Sequence, residues 1–297
     1  MPIVVAPLSN ALTAEQIAHL KEKAMFVRTE TVRLIAIAKV GHYSSTFSCA
    51  EILSVLYYDA MRLSRGEPRW QERDRFLMGK GHAAVGLYPL LADWGFFPPE
   101  LLDSYTRLGS PLGDHPDMRL VPGVDFSSGS IGHALSGALG MVLGGRMQKQ
   151  EFDVYVLLGD GEMQEGSIWE AIMMAANLRL DRLVAFADVN DFQGLGRTSE
   201  THPAFYPVPD KAVAFGWEAR EVNGHDHRAL LEALQGRRGD RFASLGKLDQ
   251  GVGQGREARG PRVELPVLPA VGAERCHAAP SWPVISARTR ASSSGAR

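Results

Sequence analysis

The chain has 297 residues, 45% of them hydrophobic, and a formal net charge of −2. This composition supports one or two packed domains and gives no indication of nucleic-acid binding. The two cysteines cannot form a disulfide framework, and the sequence shows neither a signal-peptide core nor an apolar run of membrane-spanning length. We therefore expect a cytoplasmic protein that binds neither nucleic acid nor a membrane.

The first predicted elements are two helices with a histidine between them. Thr13 and Gln16 form a capping box, and apolar residues recur at helical spacing after them. His42 follows in a polar loop, where the residues alone favour a solvated histidine. Ser48 and Glu51 predict a second capping box, which opens a helix that reaches about residue 60.

A short strand over residues 74–78 leads into a glycine-rich turn, Gly79-Lys80-Gly81-His82. The amino end of a helix that follows such a turn is a favourable place for an anion. Because Lys80 is not followed by Ser or Thr, the turn is not a P-loop. Taken alone, the turn is an ordinary connection between a strand and a helix.

Residues 109–130 form a long segment without periodicity. A loop of this length in a compact domain is usually functional or disordered. It contains His115, which could equally be a surface residue. Residues 127–132 open a helix that is rich in glycine and other small residues. Because so many small residues lower helix propensity, we expect another backbone to pack closely against this helix.

The central stretch predicts a parallel strand–helix–strand unit. Residues 153–158 are mostly apolar or β-branched and end in a Gly-Asp-Gly turn, residues 165–177 carry apolar residues at helical spacing, and residues 182–187 form a second buried strand. Such units are right-handed, and the polar residues of this one follow the carboxyl ends of its strands. Open α/β sheets bind their ligands at that edge.

Two of these polar residues suit a magnesium diphosphate. Asp160 offers a carboxylate after the first strand, and Asn190 offers an amide oxygen after the second. Mg²⁺ takes one or two protein oxygens and completes its octahedron with phosphate oxygens and water. The glycines on either side of Asp160 let a ligand approach the backbone. The alternative is a pair of turns that bind no ligand.

These residues resemble the thiamine diphosphate motif of a known family. The stretch Gly-Asp-Gly-Glu-Met-Gln-Glu-Gly-Ser-Ile-Trp-Glu-Ala is similar to the amino-terminal subunit of split transketolases. Lys-Gly-His-Ala around His82, the His-Pro pair at His115 and Gly-Ser-Ile at residues 129–131 add to the resemblance, which covers about residues 13 to 235. It implies an α/β thiamine-diphosphate-binding fold, a parallel sheet with helices on both faces.

The resemblance also implies the residues of the site. Mg²⁺, or Ca²⁺ or Mn²⁺ in its place, would be held by Asp160, Asn190 and the backbone oxygen of Phe192. Thiamine diphosphate would contact His82, Gly129, Ser130, Ile131, Gly161, Glu165 and Asn190. The residues that would face the substrate as catalytic residues are His42, His82 and His115. Glu165 and Glu170 match acidic positions that lie near a subunit contact in the family.

A further strand and helix are predicted after the site, over residues 217–222 and 226–234. His225 and His227 flank an aspartate at the start of this helix. We expect the two histidines to be capping and surface residues rather than metal ligands.

The predicted domain organisation is an N-terminal extension over residues 1–12, the cofactor-binding domain over 13–236 and an atypical low-complexity tail over 237–297. The tail has eleven basic and five acidic residues and no helical or alternating run longer than a few residues. Such a composition buries little apolar surface, so we expect either a disordered basic extension or a shifted reading frame. The strand, the Lys-Gly-x-Gly loop and the histidine with which the family continues are not recognisable in it.

The resemblance implies an enzyme that transfers a two-carbon ketol unit from a ketose phosphate to an aldose phosphate, with thiamine diphosphate supplying the difficult chemistry. A separate C-terminal subunit would complete the site in a two-fold symmetric assembly. Two alternatives stay open. One is a related ketol or acyl transferase of specialised metabolism, because fold and cofactor do not fix the substrate. The other is a non-catalytic remnant that only makes interactions.

Overall fold

The structure, a computed structural model, describes residues 13–194, 196–235 and the backbone of 244–247. The extension predicted over residues 1–12 lies outside this part of the chain. The described α-helices are α1 (Ala14–Ala38), α2 (Tyr43–Phe47), α3 (Ala50–Val55), α4 (Ala84–Asp93), α5 (Ala134–Gln148), α6 (Gly166–Leu178), α7 (Thr198–Thr201), α8 (Val208–Ala214) and α9 (His227–Gln235). The described strands are β1 (Arg75–Met78), β2 (Val154–Gly159), β3 (Leu183–Asp188), β4 (Phe192–Gln193), β5 (Gly196–Arg197), β6 (Glu218–Glu221) and β7 (Ser244–Lys247).

Five of the strands form one parallel sheet in the order β1-β2-β3-β7-β6. Strands β2 and β3 are buried along almost their whole length, as expected of parallel strands that are covered on both faces. The register pairs Val154 with Leu183 and Gly159 with Asp188, so the carboxyl ends of these two strands lie side by side. Strands β4 and β5 form a separate antiparallel hairpin.

Each face of the sheet has its own hydrophobic core, because successive residues of a strand point to opposite faces. One core contains Phe76, Tyr155, Leu157, Val184 and Phe186 together with residues of α1, α3, α4 and α9. The other contains Leu77, Val154, Val156, Leu158 and Ala185 together with residues of α5, α6 and α8. The predicted architecture, a parallel sheet with helices on both faces, is therefore confirmed.

Helix α1 begins as its sequence predicts. Thr13 Oγ1 accepts the backbone N–H of Gln16 at 3.1 Å, and Gln16 Oε1 accepts the backbone N–H of Thr13 at 3.0 Å, so both halves of the capping box are present. The buried residues of α1 recur at helical spacing from Leu20 to Leu34. None of the helices described, α1 included, is both long enough and apolar enough to cross a membrane.

The second predicted capping box is wrong. Helix α3 has Cys49 at its N-cap and no side-chain cap. The Ser48 hydroxyl instead donates to the buried carboxylate of Asp188 at 2.5 Å, and Glu51 pairs with Arg28. Both side chains find charged partners far along the chain, and such charge-assisted contacts are stronger than the neutral capping bond they replace.

The expectation for the two histidines near α9 is also corrected. Asp226 caps the helix, because its carboxylate accepts backbone N–H groups of the first turn. His227 is only 3% exposed, and its Nε2 lies 3.1 Å from Ser54 Oγ. His225 Nδ1 lies 3.0 Å from Glu51 Oε2. Both histidines thus attach α9 to α3, a role that depends on tertiary partners that local spacing does not reveal.

A strand follows residue 236, where the tail composition predicts none. Strand β7 lies between β3 and β6 and runs parallel to both. Composition is a poor guide here, because four residues are enough for this ladder and backbone groups make the pairing. The rest of the predicted tail lies outside the described residues.

The long segment 109–130 is irregular, as predicted, and a buried ion pair attaches its end to β1. Arg73 Nη1 donates to Asp125 Oδ2 at 2.9 Å. The same oxygen accepts the backbone N–H of Phe76 at 2.9 Å. Both charged side chains are almost fully buried. The pair therefore holds the segment against the strand that leads to the candidate site.

We predict that Arg73→Met lowers the free energy of unfolding by about 3–5 kcal/mol, because it leaves the carboxylate of Asp125 buried without its counter-ion. Urea denaturation measures the loss. Arg119→Met is the matched control, since Arg119 is an exposed arginine that pairs with Asp117 of the same segment, and it should leave stability unchanged. Equal losses in the two variants would contradict the role assigned to the buried pair.

Candidate functional site

The carboxyl ends of β1, β2 and β3 meet at one edge of the sheet, the place where parallel α/β sheets bind ligands. The backbone N–H of Gly79, after β1, donates to the carbonyl oxygen of Leu157 in β2 at 2.8 Å. The N–H of Asp160, after β2, donates to the carbonyl oxygen of Asp188 in β3 at 3.2 Å. These contacts bring the three strand-end turns together.

The carboxylate of Asp160 is buried at this edge, with only 2% of the residue exposed. Oδ1 accepts the backbone N–H of Gly161 at 2.9 Å, and Oδ2 accepts the hydroxyl of Thr198 at 2.9 Å. Burial raises the pKa of Asp160 to about 6 against these two donors. Among the described side chains none forms an ion pair with it. A bound cation would compensate a carboxylate in this environment.

The other two predicted metal ligands lie in the turn after β3. Asn190 is half-buried, and its Oδ1 accepts the backbone N–H of Phe192 at 2.9 Å. Asp191, between them, has a φ of 63°, so the turn is tight. A carboxylate, an amide oxygen and a backbone carbonyl are the hard oxygen donors that Mg²⁺ prefers, and these residues fit such an ion.

Further ligand oxygens would have to come from the cofactor or from water. Within the part of the chain that the structure describes, no three His, Cys, Asp or Glu residues gather as a closed metal site.

The backbone of the loop before α5, residues 127–132, packs closely against the turn after β1. A Cβ atom on Gly81 would lie 2.7 Å from Ser128 Oγ and 2.8 Å from the backbone nitrogen of Gly129. Ser128 Oγ is buried and has no hydrogen-bond partner among the described residues, so it could serve a ligand. Ser130 and Ile131, the other predicted cofactor contacts of this loop, are exposed at its surface.

The three predicted histidines lie close to this loop. The ring centroids of His42 and His82 are 5.3 Å apart. A Cβ on Gly129 would lie 3.0 Å from His115 Cδ2, so that ring packs on the loop backbone. Burial, with smaller effects from Lys80, His42 and His115, lowers the pKa of His82 to about 4. His82 is therefore a neutral imidazole at neutral pH.

Glu162 is a central residue of the site that the sequence does not single out. It is 3% exposed, and burial raises its pKa to about 7. Its two oxygens accept the backbone N–H groups of Gly132 and Gly159 at 3.1 and 3.2 Å. A Cβ on Gly79 would lie 2.6 Å from Oε1. One carboxylate thus ties the loop before α5 to the turns after β1 and β2.

Lys80 is a second residue whose role the sequence does not reveal. It is 2% exposed and forms an ion pair with Asp188, which is fully buried. Its Nζ also lies 3.2 Å from Ser48 Oγ. Burial alone would lower the pKa of Lys80, but the carboxylate of Asp188 raises it. The ammonium group points into the protein, so the glycine-rich turn does not present it to a phosphate as a P-loop does.

The acidic positions on and before α6 are exposed. Glu165 precedes the first residue of α6, and a Cβ on Gly132 would lie 2.7 Å from Glu165 Cβ. Glu165 therefore borders the same loop as the predicted cofactor contacts. Glu170 lies one turn into the helix and is also exposed. Their predicted place near a cofactor and a subunit contact stays a prediction.

The family model "Transketolase, thiamine diphosphate binding domain" matches residues 20–258 of the chain. The chain belongs to this family. As a member of the transketolase family it is a transferase subunit, and the resemblance predicted from the sequence is confirmed. The match includes β7 and runs beyond residue 236, at which the sequence places the end of the domain.

The curated transketolase relatives include proteins that are named as separate subunits. The chain is 40% identical over 222 residues to the 6-deoxy-6-sulfo-D-fructose transketolase subunit of Clostridium sp. (strain MSTE9). The aligned residues cover 75% of this chain and 80% of that protein. It is 38% identical over 208 residues to one of the subunits of the apulose-4-phosphate transketolase of Phocaeicola vulgatus, covering 70% and 73%. The chain therefore corresponds to most of each of these proteins.

Solved transketolases share the fold over a longer chain. The structure from Campylobacter jejuni has a TM-score of 0.73 and 27% identity, covering 78% of this chain and 38% of that one. The transketolase from Leishmania mexicana has a TM-score of 0.72 and 25% identity, covering 77% and 36%. The chain thus spans a little over one third of these transketolases.

We predict that Glu162→Gln lowers the free energy of unfolding by about 1–3 kcal/mol. A glutamine offers one acceptor where two backbone N–H groups need one each, and an unpaired buried N–H has a cost of this size. Thermal or urea denaturation measures it. The control is Glu170→Gln, which removes an exposed charge and should change stability by less than about 0.5 kcal/mol. A loss no larger than that of the control would show that Glu162 does not tie the turns together.

Proposed function

We propose that this chain is the thiamine-diphosphate-binding subunit of a two-chain transketolase. Together with a C-terminal subunit, it would transfer a two-carbon ketol unit from an anionic ketose to an aldose phosphate. The observation that carries the proposal is the buried carboxylate of Asp160, which has no ion pair among the described residues and lies at the ligand-binding edge of a sheet that matches the family's cofactor domain.

The metal assignment follows from the donors at that edge. Asp160, Asn190 and the backbone oxygen of Phe192 would hold Mg²⁺, with Ca²⁺ or Mn²⁺ able to take its place. The diphosphate would complete the coordination, since the protein donors are too few to do so alone. The raised pKa of Asp160 supports this assignment, because a cation stabilises the ionised form that burial disfavours.

The cofactor would lie along the glycine-rich backbone beside these donors. Gly161 and Gly129 carry no side chain that would stand between a ligand and the backbone, and the Ser128 hydroxyl has no competing partner within the described structure. Ser130, Ile131 and Glu165 border the same loop and complete the proposed contacts. When bound, thiamine diphosphate supplies the carbanion chemistry needed to break a carbon–carbon bond next to a ketone.

The three histidines would handle the substrate. His82 is neutral at neutral pH because burial lowers its pKa to about 4, so it can accept one hydrogen bond and donate another without adding charge. His42 and His115 are more exposed and lie at the rim, where they can orient substrate hydroxyl groups. Their placement around the loop before α5 supports a catalytic role for all three.

A partner subunit is proposed from the relatives. The solved transketolases that match are more than twice as long as the matched part, and two curated relatives of similar extent are named as subunits. The relatives' names also describe two anionic sugars, 6-deoxy-6-sulfo-D-fructose and apulose 4-phosphate. A specialised sugar is therefore as good a donor candidate as a common ketose phosphate.

The metal assignment predicts that Asp160→Asn weakens binding of thiamine diphosphate with Mg²⁺ by roughly 100-fold or more, since loss of a direct ligand exceeds the typical effect of an outer-sphere change. Calorimetric titration in the presence of the partner subunit measures the affinity. Asp210→Asn, which neutralises an exposed carboxylate on α8, should bind normally. Unchanged affinity of the Asp160 variant for thiamine diphosphate with Mg²⁺ would contradict the metal assignment.

The two-chain proposal predicts that the purified chain transfers no ketol unit, and that a mixture with the C-terminal subunit does. The assay is a coupled measurement of aldose formation over a panel of sulfonated and phosphorylated ketoses with several aldose phosphates. Turnover by the chain alone would contradict the need for a partner. Cofactor binding without any turnover in the mixture would favour a non-catalytic remnant.

A further inference from the structure

A carboxylate stands beside the three histidines and has no part in the function proposed above. Asp114 Oδ2 lies 3.8 Å from His42 Nε2, and the Asp114 side chain is 30% exposed. Its other oxygen, Oδ1, accepts the hydroxyl of Tyr105 at 2.8 Å. The charge of Asp114 is also close enough to oppose the lowering of the pKa of His82. This carboxylate therefore borders the space that the histidines enclose.

Two buried tyrosines fix the position of Asp114. Tyr105 is 1% exposed and Tyr88 is fully buried. The Tyr88 hydroxyl donates to the carbonyl oxygens of Gly113 and His115, at 2.8 and 3.2 Å, so it holds the backbone on both sides of Asp114. The two tyrosine rings pack with centroids 6.1 Å apart. A surface acid without a function does not need support of this kind, whereas a group that must stay in place does.

Among the described residues, no cationic group is hydrogen-bonded to Asp114. The nearest histidine nitrogen is at 3.8 Å, longer than a hydrogen bond, and Tyr105 contributes only a neutral hydroxyl. His82 is uncharged at neutral pH because burial depresses its pKa. An ionised carboxylate can only accept hydrogen bonds, so Asp114 offers an acceptor and a negative potential to whatever lies among the histidines.

We propose that Asp114 is a specificity-determining residue that accepts a hydrogen bond from a hydroxyl group of the donor sugar and excludes donors with a negative charge at that place. The proposal rests on the proposed ketol transfer. It assigns the preferred donor to the ketoses whose reacting end carries neutral hydroxyl groups, with any phosphate or sulfonate farther along the sugar. Donors that carry a carboxylate beside the ketone are disfavoured, because like charges at short range repel.

The test compares two small donors that differ in charge, the neutral ketose erythrulose and the anionic hydroxypyruvate, with the chain assembled with its partner and cofactor. In Asp114→Asn, the ratio of kcat/KM for hydroxypyruvate to that for erythrulose should rise by at least about fivefold, the change expected for removing one like-charge contact near a protein surface. The gain should appear mainly as a lower KM for hydroxypyruvate.

Two further variants separate specificity from structure. Asp117→Asn neutralises another acid of the same segment, one that pairs with the exposed Arg119, and should leave the ratio unchanged. Tyr105→Phe removes the hydroxyl that orients Asp114 and should change the ratio in the same direction but less. Affinity for thiamine diphosphate with Mg²⁺ should stay the same in all three variants, since none alters a proposed ligand.

The outcomes are distinguishable. A rise in the ratio for Asp114→Asn and Tyr105→Phe alone, with unchanged cofactor affinity, supports the proposal. An unchanged ratio in Asp114→Asn, with an active wild-type assembly, overturns it and leaves the proposed function intact. An equal rise in Asp117→Asn also overturns it, because the effect would then be one of general surface charge. A wild-type assembly that transfers from no ketose overturns the proposed function and this inference together.

Discussion

Three carboxylates are buried at the strand ends, and the shape of the site follows from how each is satisfied. Asp188 has the ammonium of Lys80 and the hydroxyl of Ser48, and Glu162 has two backbone N–H groups. Asp160 has one N–H and one hydroxyl, but no ion pair among the described residues. Withdrawing an ionised group from water costs several kcal/mol unless partners replace its hydration. Asp160 and Glu162 both lack an ion pair among the described residues, and burial raises the pKa of each. We assign the metal to Asp160 because the turn that carries Asn190 and Phe192 follows the neighbouring strand end.

The same acids constrain the backbone around them. Glu162 leaves no room for a side chain on Gly79, and Gly132, whose N–H it binds, has a φ of 91°, a conformation that favours glycine. Glu162, Gly79 and Gly132 therefore form a rigid unit, the floor of the site, in which the acid needs the space and the backbone N–H groups that the glycines provide. The rim differs, since His42 and Asp114 are more exposed and the Tyr105 hydroxyl holds Asp114 in place. Such a division lets substrate preference change at the rim without disturbing the floor.

The sequence predicts the parts of this protein that local patterns encode. The strands on either side of α6 follow from runs of apolar residues, and Asp160 stands out because glycines flank it at a strand end. Lys80 and Asp188 show the limit, because they pair across 108 positions of the chain and no local pattern marks either as buried. Glu162 is hidden for a similar reason, since its partners are backbone groups that any sequence possesses. Residue composition does not predict strand β7, because backbone hydrogen bonds hold this strand in the sheet and these bonds do not depend on residue type.

The strand order has a consequence for how the chain folds. Within the described sheet β6 pairs only with β7, and β7 comes after it in the chain. Strands β1, β2 and β3 can assemble from earlier residues, whereas β6 has to wait for residues 244–247 before it acquires a ladder. Until then the free side of β3 is an unprotected edge that can recruit other chains. Closure of the sheet is therefore a late, long-range event, and folding during synthesis leaves this protein exposed to misassociation until its last described strand has been made.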